Sequence, residues 1–180
     1  MMQKLYLLRH GQSEANRLHI VAGQHETPLS MLGEIQAEQA GIELQAYNID
    51  MIVSSPQVRA KQTADIIARA IGMNPNQILE LDELKERNLG DLEGESYAKN
   101  PASNGNVEDV ENVPNVEPLE QLLARAHKAL SIIKDLPHDR VLIVCHNGLG
   151  RMLQVAIADK PAYDLYVQPR LENAKIYELS

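Results

Sequence analysis

The chain has 180 residues, of which 44% are hydrophobic and 23% charged, and its formal net charge is −8. That length suits one domain with a substantial core, and no stretch approaches the uninterrupted apolar length of a membrane span. The acidic balance argues against nucleic acid as the main partner, because such binding relies on a basic surface.

Met1 to Lys4 precede an apolar run that stops at Arg9, too short for the hydrophobic region of a signal peptide. With one cysteine, Cys145, no internal disulfide forms, and a reduced, cytoplasmic setting is the expectation. Against the acidic background, cations gathered at one place would mark an anion-binding site.

Lys4 to Leu8 reads as a short apolar strand that ends in Arg9-His10-Gly11. Such a pair can merely cap a strand at the surface. Repetition weighs against that, because Met51 to Ser55 leads through Pro56 to Arg59, and Val141 to Cys145 leads directly into His146. Between the first two runs, Leu29 to Gly33 looks like a turn into a helix of about residues 33 to 46, with Ile35, Ile42 and Ala46 on its apolar face. Asp50 to Ser54 reads as a second strand. Pro56 suits the first turn of the next helix, whose stripe of Ala60, Ala64, Ile67 and Ile71 ends at Gly72.

Ile78 to Leu81 is a candidate short strand running into the charged stretch Asp82 to Gly90. From Asp91 to about Glu117 the chain is polar and aperiodic, with Pro101 and Pro114, which predicts a long loop. Pro118 opens the clearest helix, with Leu119, Leu122, Ala126, Leu130 and Ile133 on one face, and Pro137 closes it. Val141 to Cys145 is a fully apolar strand, Leu149, Met152, Leu153 and Ala156 begin another helix, and Lys175 to Leu179 reads as a final edge strand. Strands alternating with helices imply an α/β sheet with a largely parallel core. Ligands of such sheets collect beyond the carboxyl ends of the strands, where Arg9, His10, Arg59 and His146 all fall.

These residues carry a resemblance to the histidine phosphatase superfamily, also called the phosphoglycerate mutase-like family. Leu8-Arg9-His10-Gly11 with Glu14 and Asn16 is similar to the family's signature. Gly23, Thr27-Pro28-Leu29-Ser30, Gly33 and Gln36-Ala37 resemble its second block, and Ser54-Ser55-Pro56, Arg59-Ala60 and Gln62-Thr63-Ala64 its third. Glu86, four residues before Gly90, with Glu93-Gly94 resembles the fourth, and Val144-Cys145-His146-Asn147-Gly148 the fifth. Two departures stand out: Glu26 where the family usually has Asp, and Val116-Glu117-Pro118 where Gly-Glu-Ser is common.

The resemblance implies a three-layer α/β/α sandwich with a mostly parallel central sheet and an antiparallel edge strand. A single domain would cover 1–180, with a lid-like loop at about 91–118. It also implies a phosphomonoester hydrolase in which His10 attacks phosphorus and forms a covalent phosphohistidine. Arg9, Asn16, Arg59 and His146 would meet the charge of the transferring phosphoryl group, and their field would disfavour protonation of His10. A proton for the leaving alkoxide would come from Glu86, with Glu83 as local rival.

From Asp91 to Pro118 the only basic residue is Lys99, against Asp91, Glu93, Glu95, Glu108, Asp109, Glu111 and Glu117. Such a lid should repel strongly anionic small acids and tolerate a neutral or cationic leaving group, which favours the phosphatase branch and a small-molecule phosphomonoester. The alternatives are a cofactor-primed phosphoglycerate mutase and a non-catalytic phosphate-binding regulatory module.

The remaining features have plainer readings. Cys145 beside His146 is expected to be a buried strand residue rather than a catalytic thiol, and His19, His25, His127 and His138 to be surface residues without metal-ligand spacing. Gly148-Leu149-Gly150 follows a strand but has Leu153 where a dinucleotide loop needs a third glycine, and Ser13 sits in no nucleophile elbow. No metal or organic cofactor is required. The C-terminal edge strand offers a surface through which a second chain can pair in a homodimer.

Overall fold

The computed structural model describes residues 3–99 and 107–179. Strands β1 (Lys4–Arg9), β2 (Met51–Ser54), β3 (Leu79–Glu80), β4 (Arg140–Cys145) and β5 (Ile176–Glu178) form one sheet in the order β3-β2-β4-β1-β5. β1 and β2 both lie parallel to β4, β3 lies parallel to β2, and β5 runs antiparallel to β1 at the sheet edge.

The side chains of these strands are apolar on both faces, as a sheet covered by helices requires. Leu5, Leu7, Val53, Val141, Ile143 and Cys145 pack on one side against α4 (Leu119–Lys134) and α5 (Asn147–Ile157). Tyr6, Leu8, Ile52, Leu142 and Val144 pack on the other against α2 (Met31–Leu44) and α3 (Val58–Ala70). The result is the expected three-layer α/β/α sandwich, with Cys145 fully buried in the middle layer.

One expected helix face is reversed. α2 turns Gly33, Ala37, Ala40, Gly41 and Leu44 inward, while Ile35 and Ile42 stay exposed and Ala46 lies in the 3-10 turn Gln45–Tyr47 that follows. The reason is close approach: a Cβ at Gly41 would come within 2.5 Å of the Ala70 Cβ on α3, so only a face of small residues lets the two helices meet. Hydrophobicity alone pointed to the wrong side.

The stretch expected to be an aperiodic loop contains 3-10 turns at Gly90–Leu92, Tyr97–Lys99 and Val107–Asn112. Leu92 and Val110 bury themselves with Val21 in a small third core, flanked by Leu89, Tyr97, Val113 and Val116. Residues 100–106 of the expected lid, including Pro101, lie outside the described residues.

Candidate active site

β1 delivers Arg9 and His10 to the carboxyl edge of the sheet. The His10 amide donates to the Cys145 carbonyl (2.9 Å), and its carbonyl accepts from Asn173 Nδ2 (2.8 Å), so the backbone is fixed on both sides. The ring is oriented by its Nδ1, 2.7 Å from the Gly11 carbonyl. A carbonyl accepts only, so Nδ1 carries the proton and the lone pair resides on Nε2.

That lone pair meets Arg59. Arg59 stands in the first turn of α3 and is fully buried, and its Nε–H donates to His10 Nε2 across 3.2 Å. Its other two nitrogens donate to the carbonyls of His25 (2.9 Å) and Gly23 (2.7 Å). Gly23 has φ of +50°, a left-handed conformation that glycine adopts without Cβ strain, and a Cβ there would strike the Glu93 carboxylate. Burial, followed by the charges of Arg59 and Arg9, holds the pKa of His10 well below 6.5. The expected field effect is present, but desolvation is the larger cause.

His146, fully buried at the end of β4, stands against His10 with ring centroids 5.2 Å apart. Its Nε2 lies 2.8 Å from Ser55 Oγ, and its Nδ1 has no partner. Burial and then the charge of Arg59 also push this imidazole well below its ordinary range. Arg9 donates from Nη1 to the Leu171 carbonyl (2.8 Å), leaving its buried Nε unpaired. Asn16 completes the capping box of α1 (Glu14–Arg17) with Ser13, and its Nδ2 donates to the Tyr97 hydroxyl (3.1 Å).

The two candidate proton donors part company. Glu83 turns away to an ion pair with Lys128 (2.6 Å), which lowers its pKa. Glu86 faces the site at the first turn of α5, where its oxygens accept from the backbone N–H groups of Gly148 (3.0 Å), Leu149 (2.9 Å) and Arg87 (2.8 Å). Its own N–H donates to Gln57 Oε1 (2.7 Å). Gly148 is therefore a close-approach glycine, not part of a dinucleotide loop: a Cβ there would lie 2.6 Å from Glu86 Oε1.

Arg9, His10, Asn16, Arg59 and Glu86 line one cleft of about 180 Å³, whose apolar wall includes Val21, Ala22 and Leu89. His146 is not among the residues that line this cleft, but its ring stands against His10. Three contributors escaped the sequence reading: Ser55 under His146, Tyr97 on the cleft wall, and Arg170 at its mouth. Ser55 lay inside a quoted motif without a role, whereas Arg170 lies in a segment with no periodic or motif signal.

The described carboxylates of the acidic lid have partners of their own. Glu111 pairs with Arg87, Glu117 with Arg125, Glu95 with Lys99, and Asp91 accepts from Asn115. Glu93 is buried, accepting from the amides of Gln24 and Leu89. Glu86 is the one carboxylate on the cleft wall among the described residues. The two departures from the family blocks are structural: Glu26 caps α3 by accepting from the Val58 amide (2.8 Å), and Glu117 anchors Arg125.

Among the described residues no cluster of His, Cys, Asp and Glu is placed to hold a metal ion, and no helix is long and apolar enough to cross a membrane. Burial raises the thiol of Cys145 far above its usual range, as suits an inert strand residue. His19, His25 and His127 are exposed and His138 partly so.

The sequence pattern of the histidine phosphatase superfamily (branch 1) matches residues 5–180. The chain is 35% identical over 159 residues to an uncharacterized phosphatase, PhoE, of Bacillus subtilis, covering 87% of this chain and 78% of that protein. It is 34% identical over 169 residues to a probable phosphoglycerate mutase, GpmB, of Salmonella arizonae, covering 90% and 78% respectively. Among solved structures, a mycobacterial glucosyl-3-phosphoglycerate phosphatase superposes with a TM-score of 0.85 at 26% identity, covering 98% of this chain and 92% of that one. A strand-end imidazole among guanidiniums, on this fold and with these relatives, places the chain in the histidine phosphatase superfamily, as an enzyme of the phosphomonoesterase type.

Proposed function

We propose that the chain hydrolyses small-molecule phosphomonoesters through a phosphohistidine on His10. The observation that carries this reading is the lone pair of His10 Nε2, set in a guanidinium-lined cleft beside the Glu86 carboxyl group. In the first step Nε2 forms a bond to phosphorus as the ester P–O bond breaks. The Arg59 Nε–H leaves Nε2 for a phosphoryl oxygen, so one donor serves first the nucleophile and then the transferring group. Arg9, Asn16 and His146, whose Nδ1 has no partner, take the other oxygens.

Glu86 is the group that gives a proton to the departing alkoxide oxygen. The resulting carboxylate then takes a proton from water, whose oxygen attacks the phosphohistidine, releasing phosphate and restoring His10 and Glu86. Support for hydrolysis over transfer comes from the phosphatases among the relatives and similar structures.

The test is phosphate release from an aryl phosphate and a panel of alkyl phosphates, run beside His10→Ala, with parallel samples quenched to trap an acid-labile phosphoenzyme. The reading expects turnover and a trapped phosphohistidine, both lost in His10→Ala. The likeness to proteins named as probable mutases supplies a second reading, in which the phosphoryl group returns to another hydroxyl of the substrate. A mutase assay with and without 2,3-bisphosphoglycerate separates them, since mutase turnover exceeding hydrolysis would overturn the phosphatase reading.

A further inference from the structure

We propose that Gln57 is a positioning residue that ties the proton donor Glu86 to the turn holding Arg59, and so sets how far the acid stands from the nucleophile His10. The proposal rests on the phosphoester reading of the same cleft and adds to it the device that aligns acid and nucleophile.

Gln57 occupies the N-cap position of α3, yet its side chain caps nothing: Glu26 accepts from the Val58 amide instead. The Gln57 side chain is spent inside the protein, and the residue is 1% exposed. Its Oε1 accepts from the Glu86 N–H (2.7 Å), and its Nε2 donates to the Gly23 carbonyl (3.3 Å). That carbonyl also accepts from Arg59 Nη2 (2.7 Å), while Arg59 Nε–H donates to His10 Nε2 (3.2 Å). One buried amide thus joins the backbone of the acid to the acceptor that orients the nucleophile's guanidinium.

The two ends of the bridge fix the identity of the side chain. A peptide N–H only donates and a peptide carbonyl only accepts, so the bridge needs an acceptor at one end and a donor at the other. Glutamine supplies both at this length, whereas an ionised glutamate supplies acceptors alone and methionine fills the space with neither. The same turn holds the other side of the Glu86 peptide, because Gln24 Nε2 donates to the Glu86 carbonyl (2.9 Å). Residues 23 and 24 therefore hold Arg59 and Glu86 at once, and Gln57 links Gly23 to the Glu86 amide. Displacing the acid by about an ångström costs proton transfer, while bond formation at phosphorus still has Arg59 and His10.

The test compares kcat/KM for an alkyl phosphate, whose leaving group needs a proton, with kcat/KM for an aryl phosphate, whose leaving group does not. Gln57→Met should lower the alkyl-to-aryl ratio about tenfold, and Gln57→Asn, a methylene too short for the bridge, should lower it likewise. Gln57→Glu keeps an oxygen against the Glu86 N–H and should recover most of the ratio. In a Glu86→Gln background Gln57→Met should leave the ratio unchanged within about twofold, because the group it positions is gone. An equal fall on both esters, or the same fall in the ratio with and without Glu86, overturns the proposal. Absence of turnover in the unsubstituted protein would instead strike the hydrolysis reading, and titration calorimetry with inorganic phosphate at about pH 8, where carboxylates and phosphate are anionic, then decides the positioning role. Glu86→Gln should tighten phosphate by removing a facing negative charge, and by a factor that differs at least about threefold once Gln57→Met is present. Equal factors in the two backgrounds overturn the proposal.

Discussion

The Nε–H of Arg59 lies 3.2 Å from the Nε2 of His10, on the one ring nitrogen that carries a lone pair. A cation so placed keeps the imidazole neutral and stands where a phosphoryl oxygen must arrive. Arg59→Gln should therefore lower kcat/KM by roughly 10²–10³, as loss of a preorganised donor does. It should also move the acid limb of the pH profile upward, because the positive neighbour that depresses His10 is gone. Steady-state kinetics across pH reads both effects, and a fall in rate with an unmoved acid limb counts against the electrostatic part.

Both buried imidazoles link folding to pH. In the folded chain the pKa values of His10 and His146 lie well below 6.5, so between those lowered values and 6.5 the unfolded chain binds more protons. Their contribution to stability is complete above that range and is lost as pH falls through it. Urea midpoints should drop from about pH 7 to about pH 5.5, and the drop should be shallower in a His10→Gln, His146→Gln double variant. Parallel slopes for the two proteins would sink the assignment.

Glu86 owes its place to the amides of Gly148 and Leu149. Glu86→Gln should cut kcat on alkyl phosphates by roughly 10²–10⁴, and on an aryl phosphate far less, because a phenolate leaves without a proton. Gly148→Ala should show the same leaving-group dependence in weaker form, since its Cβ would displace the carboxylate from 2.6 Å. Equal losses on both ester types would remove Glu86 from the proton transfer.

On α2 the exposed and buried faces should respond in opposite ways to substitution. Ile42→Lys is 65% exposed in its native residue and should change stability by under about 0.5 kcal/mol. Gly41→Val should cost about 1–3 kcal/mol, because it drives side-chain atoms into Ala70. Thermal or urea unfolding of the two variants checks the reversed face directly.

By itself the sequence determined the layer architecture and the site's anchors. The continuous apolar runs of β1 and β4 and the 3.6-residue patterns of α3 and α4 are local properties, and Arg9, His10, Arg59, Glu86 and His146 fall in ordered motifs that can be read without a neighbour. The inward face of α2 was different in kind, because it depends on how near α3 comes, which no count of hydrophobic residues along α2 reports. The same holds for the lid, whose partners for Glu95, Glu111 and Glu117 are set by the fold and cannot be read from the acidity of the segment. Ser55, Tyr97 and Arg170 also waited on the tertiary structure. Each acts through a residue between 81 and 161 positions away, with Ser55 reaching His146, Tyr97 reaching Asn16 and Arg170 the cleft of Arg9, and contacts over such separations are made by the sheet order, which places β1 between β4 and β5.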